Sequence, residues 1–65
     1  MNITLNGERR DVAAETVAEL LAEIGLASAK VATAINGEFL PTARREATRL
    51  SAGDALEVLS AMQGG

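Results

Sequence analysis

One stretch of this chain has the helical period. Val17, Leu20, Leu21 and Ile24 fall at i, i+3, i+4 and i+7, the single apolar stripe of an amphipathic helix. Thr16 stands where an N-cap belongs, and Glu19 three places on completes a T-x-x-E capping box. Gly25 is placed to end the helix in a left-handed conformation, with Leu26 folding back on the last turn. Elsewhere the apolar residues alternate with polar ones or stop at turn dipeptides. One helix therefore has to cover whatever sheet the rest of the chain builds.

The alternation places the strands. Met1, Ile3 and Leu5 alternate with Asn2 and Thr4, and Asn6-Gly7 follows at once. Asn-Gly tolerates the positive φ angles of a tight hairpin, so residues 9–13 read as the returning strand. That strand has Val12 as its one large apolar residue and carries Arg9, Arg10 and Asp11, the charges that keep an edge strand from pairing with other chains. From Lys30 the period returns to two, with Val31, Thr33 and Ile35 on one face and Ala32 and Ala34 on the other. Asn36-Gly37 makes a second tight turn, and residues 38–40 form a short strand stopped by Pro41. Residues 42–48 are polar with room for one helical turn, and Leu50 anchors them before the turn at residues 51–54. In the last strand, residues 55–61, Leu56 and Val58 share one face and Leu59 and Ala61 the other.

Hairpin, helix and further strands with a single covering helix make a two-layer α+β roll. Its mixed sheet of four to five strands, with the first and last strands central and parallel, is the β-grasp arrangement. Residues 1–61 form one domain in this reading, and residues 62–65 a flexible tail.

Composition narrows the chemistry. Among 65 residues there is no Cys, His, Trp or Tyr. Thiol nucleophiles, imidazole bases and zinc fingers are excluded within this sequence. The net charge is −3, unsuited to non-specific nucleic-acid binding. The longest apolar run is far too short to span a bilayer, and no basic-then-apolar leader opens the sequence. These features, with the lack of Cys, set the expectation of a cytoplasmic protein that binds neither nucleic acid nor membrane. No metal site or catalytic residue is expected.

The charged groups read mainly as surface. Glu15, Glu19 and Glu23 recur every four residues on the exposed side of the helix, a solvated face that could also meet a basic partner. Arg9-Arg10, and Arg44-Arg45 with Arg49, read as solubilising edge and loop charges; contact with a protein, a phosphate or an acidic surface is the alternative. The sequence ends Gln63-Gly64-Gly65 after Ala61 and Met62. With no Cβ, glycine can enter a channel too narrow for other residues. A terminal carboxylate is inert until activation by ATP makes it an acyl donor.

The whole chain resembles the ThiS family, the sulfur carrier proteins of thiamin biosynthesis. The resemblance runs from Ile3-Thr4-Leu5-Asn6-Gly7-Glu8 through Thr16-Val17-Ala18-Glu19-Leu20-Leu21 to Val31-Ala32 and Ala34-Ile35-Asn36-Gly37-Glu38. It continues with Pro41, Gly53-Asp54, Leu56-Glu57-Val58 and Gln63-Gly64-Gly65. It implies a ubiquitin-like β-grasp fold and a protein acted on by enzymes rather than an enzyme. It further implies that an E1-like adenylating enzyme uses ATP and Mg to activate the Gly65 carboxylate. A sulfur-donating enzyme then supplies the sulfur of a thiocarboxylate, which serves thiazole synthase. No cofactor is expected on the chain itself. Gly65 is the implied attachment point, Gly64 and Gln63 thread the tail, and Leu59, Ala61 and Met62 are candidate docking residues if Leu59 is not part of the core. The small subunit of molybdopterin synthase shares the fold and the tail chemistry, and a non-covalent β-grasp module with an inert tail is the alternative from another class.

Overall fold

The computed structural model describes residues 1–60. The elements run β1 (Asn2–Leu5), β2 (Glu8–Asp11), α1 (Val17–Glu23), β3 (Val31–Ile35), β4 (Glu38–Leu40), a 3₁₀ turn (Thr42–Arg44) and β5 (Ala55–Ser60).

Both hairpins are set by their Asn-Gly pairs. Asn6 and Gly7 have φ of 51° and 84°, and Asn36 and Gly37 have φ of 51° and 86°. Positive φ at both central residues is the turn whose twist matches that of the flanking strands. It fixes the registers Leu5↔Glu8 and Ile35↔Glu38. The first of these starts β2 at Glu8, one residue before the sequence expectation. The strand ends at Asp11, yet Val12 beyond it is buried, its N–H donating to the Met1 carbonyl at 2.8 Å. The Asn side chains also bind β5. Asn6 accepts from the Val58 N–H at 2.8 Å and donates to the Val58 carbonyl at 3.2 Å, and Asn36 accepts from the Ala55 N–H at 2.9 Å. The turns thus clamp the last strand as well as reversing the chain.

The helix is held at both ends. The Thr16 hydroxyl accepts from the Glu19 N–H at 3.1 Å. The reciprocal half of the capping box is displaced, because Glu19 Oε1 accepts from the Glu15 N–H at 2.8 Å instead of that of Thr16. Thr16 is extended (φ −127°, ψ 165°) and bridged to Arg49, so the N–H that faces the first turn is that of the preceding residue. At the other end Gly25 takes φ 83°. Its N–H donates to the Ala22 carbonyl at 3.1 Å and the Leu26 N–H to the Leu21 carbonyl at 2.7 Å, the paired bonds of a Schellman motif. Thr16→Ala is expected to cost about 1 kcal/mol of stability, measured by urea denaturation; a change under a few tenths would show that the bridge alone fixes this end.

The sheet order is β2-β1-β5-β3-β4. β5 is central, parallel to β1 and antiparallel to β3, while β2 and β4 form the edges, as the charges of β2 anticipate. The helix covers one face. Ile3, Val17, Leu20 and Leu56 are at most 1% exposed, and Val12, Ala14, Leu21, Leu40, Leu50 and Val58 complete the core. No helix among the described residues is long and apolar enough to cross a membrane.

One charged residue departs from expectation. Arg45 is not a loop charge in solvent: the residue is 8% exposed. β4 stops at Leu40 opposite Thr33, ahead of Pro41, so Val31 has no ladder partner on that side. Arg45 supplies one, with Nη2 donating to the Val31 carbonyl at 2.7 Å and Nε to the Thr33 hydroxyl at 3.2 Å. Thr33, itself buried, donates onward to the Leu40 carbonyl at 2.9 Å.

Candidate functional site

The face of the sheet opposite the helix is uncovered by any described element. Pleating sends Ile3, Leu5, Thr33, Leu56 and Val58 toward the helix. Their alternates Thr4, Ala32, Ala34, Glu57 and Leu59 face outward, and the register aligns these from strand to strand. Ala34 lies opposite Phe39 on one side and Glu57 on the other, and Ala32 lies opposite Leu59. Phe39 is 71% and Leu59 68% exposed, flanking the half-buried Ala32 and Ala34. Toward β1 and β2 the same face turns polar through Thr4, Arg9 and Asp11.

The exposure of Leu59 decides a question that its sequence left open. It is a surface residue, and its strand neighbours Leu56 and Val58 fill the core. Phe39 was missed in the sequence because it sits in a three-residue strand between Glu38 and Leu40, too short for alternation to mark a face. The signal available was Leu40: with Leu40 inward before Pro41, Phe39 must point outward. Ala61, Met62, Gln63, Gly64 and Gly65 lie outside the described residues. They follow Ser60, the last described residue of central β5, which pairs with Val31.

The carboxylates of the helix serve structure. Glu23 Oε1 accepts from the Ala14 N–H at 3.0 Å, Glu19 caps the first turn, and Glu15 pairs with Arg49 at 3.3 Å across the surface. Two of the three are tied to the strand–helix connection rather than free for a partner. Among the described residues no cluster of three or more acidic side chains could hold a metal ion.

A five-stranded mixed sheet with parallel first and last strands, one helix across one face and an apolar strip on the other is a ubiquitin-like β-grasp protein. The ThiS family model matches residues 3–65. The chain belongs to the ThiS family. It is similar to the crystal structure of the thiamine biosynthesis protein ThiS from Geobacter metallireducens, with a TM-score of 0.83, 42% identity and complete coverage of both chains. A solution structure of a thiamine biosynthesis protein from the same organism matches at TM-score 0.80 and 40% identity, covering all of this chain and 88% of that one. A thiazole synthase from Paramagnetospirillum magneticum is 38% identical over 66 residues, all of this chain but 20% of the relative. The chain spans about one fifth of the length of that curated relative.

Proposed function

We propose that the chain is a sulfur carrier of thiamin biosynthesis, a protein substrate rather than a catalyst, working in the cytoplasm. The observation that carries this reading is the family match running through residue 65, over a length that also covers the Geobacter ThiS protein completely. The Gly65 carboxylate is the working group. Its oxygen attacks the α-phosphorus of ATP on an E1-like adenylating enzyme and expels pyrophosphate, with Mg held by that enzyme. Sulfide (HS−) released by a sulfur-donating enzyme then attacks the acyl carbon, the acyl–AMP bond breaks, and AMP and a proton leave, so that sulfur comes to stand on the terminal carbonyl as a thiocarboxylate. Gly64 and Gln63 form the rest of the threading segment. A segment like this chain within a thiazole synthase supports thiazole synthase as the acceptor of the sulfur.

The body of the protein supplies docking energy. Ordering a tail costs about 1–2 kcal/mol per residue, and the exposed strip of Phe39, Ala34, Ala32 and Leu59 offers apolar area to offset that cost. Ala61 and Met62, next in the chain after this strip, extend the candidate contact. The test is an intact mass after incubation with the activating enzyme, ATP and a sulfur source: replacement of one oxygen by sulfur at the terminus supports the carrier. An unchanged mass with an enzyme active on another carrier overturns the reading in favour of an inert tail.

The docking face has its own test. Leu59→Asp and Phe39→Asp should each lower kcat/KM for adenylation roughly 10- to 100-fold, the range of an interface anchor worth about 1.4–2.8 kcal/mol. The folding midpoint should move by no more than the equivalent of about 0.5 kcal/mol, as for other surface changes. Unchanged adenylation by both variants would place the docking surface elsewhere.

A further inference from the structure

Arg45 carries more hydrogen-bonding capacity than the described residues around it use. A guanidinium has five N–H donors, and among the described residues two are engaged, by Thr33 and by Val31. No carboxylate lies within ion-pair distance of it among the described residues. A buried charge in that state is costly unless something completes its shell. The side chain lines a cavity of about 410 Å³ whose other polar walls are Ser28, Lys30 and Thr42. The nearest acidic residue in the chain, Glu46, does not line this cavity but lines an adjoining one that shares Ala27, Thr42 and Arg45 with it.

We propose that this cavity is an anion site for a phosphate-type oxyanion. The Arg45 guanidinium forms its inner wall, Lys30 supplies a second positive charge, and the Ser28 and Thr42 hydroxyls supply neutral donors. Two cations and two hydroxyls suit a tetrahedral group with several acceptor oxygens better than a carboxylate with two. Bonds from these cationic donors to such a group join an ionised donor to an ionised acceptor, a class that is shorter and stronger than neutral hydrogen bonds. The cavity includes Lys30, Val31 and Ala32, and Val31 pairs with Ser60. The site therefore lies at the end of the sheet from which residues 61–65 continue. It does not depend on the carrier reading.

The test is a titration of the full chain with sodium phosphate at constant ionic strength, followed by backbone amide NMR and by urea denaturation. Saturable shifts are expected at residues 28–31 and 42–46. At a phosphate concentration ten times Kd the folding constant should rise about 11-fold. Lys30→Gln, at an exposed position, should weaken phosphate about tenfold while leaving the fold unchanged, and Arg45→Met should abolish binding. If Arg45→Met does not fold, Lys30→Gln and Ser28→Ala carry the test. A parallel titration with AMP distinguishes the source: tighter AMP binding assigns a nucleotide phosphate, and binding of inorganic phosphate alone assigns the free ion. Shifts no larger than those in matched sodium chloride, or shifts unaltered in Lys30→Gln, would overturn the site and leave Arg45 as a structural cap on Val31.

Discussion

Adding a single alanine after Gly65 should stop thiocarboxylate formation while leaving the folded domain untouched. In the proposed mechanism the acyl group is delivered from Gly65, so the added residue displaces the reactive carboxylate and puts a Cβ at a position the proposal reserves for glycine. A misplacement of about 1 Å from a reactive geometry already costs about 100-fold in rate, or about 2.7 kcal/mol of barrier, and a whole residue moves the carboxylate further than that. We expect at least this loss in the rate of adenylation, read from pyrophosphate release, and no sulfur-containing product by intact mass. Stability should be unchanged, since the addition stands six residues after Ser60, the last residue of β5. Deleting Gly65 should have the same outcome. If the extended chain is thiolated at the normal rate, the terminal carboxylate of Gly65 is not the site of chemistry.

The largest loss of stability is expected from Leu56→Ala. Leu56 is fully buried on the central strand, paired with Leu5 on one side and Ile35 on the other, in the same core as Val17 and Leu20. A change of this kind removes transfer energy and leaves a cavity, together about 2–5 kcal/mol. At 0.05–0.15 kcal/mol per residue, a domain of this size has roughly 3–10 kcal/mol to lose. Of the 31 apolar residues, 13 are alanine, so few large side chains share the load. The urea midpoint should fall by half or more with the slope m unchanged, or the variant should not fold at all. Leu59→Ala, three positions further on and facing outward, should change stability by no more than about 0.5 kcal/mol. Equal effects of the two variants would contradict the assignment of faces on β5.

Local chemistry made much of this legible in the sequence. The helix stripe, the Thr16 cap, the Gly25 stop and both Asn-Gly turns are patterns among residues within seven positions of one another. Each is therefore written in short motifs. The alternation in residues 55–60 likewise separated Leu56 and Val58 from Leu59. What the pattern left open was whether Leu59, on the side away from the helix, would be exposed or partly buried, and Glu19 shows the same limit on a smaller scale. Its capping role was readable, but its partner became Glu15 because Thr16 is held by a bridge to Arg49, 33 residues away.

The candidate site divides in the same way. Gly64-Gly65 is a feature of sequence and stands or falls by its chemistry. The proposed docking strip is assembled from β3, β4 and β5, and Phe39 joins it only through the register with Ala34. Arg45 was the clearest reversal. In a run of Arg44-Arg45-Glu46 it has the composition of a solvent-facing loop, and nothing nearby in the chain distinguishes it from Arg44.

The sequence by itself determined the elements, their turns and their caps, because these rest on backbone preferences and on contacts between near neighbours. Tertiary structure decided that Leu59 and Phe39 would be exposed together and that Arg45 would be buried beneath Val31. Those outcomes depend on where β4 ends opposite β3 and on which strand lies at the centre, and pairing between distant segments is settled only when the whole sheet has assembled.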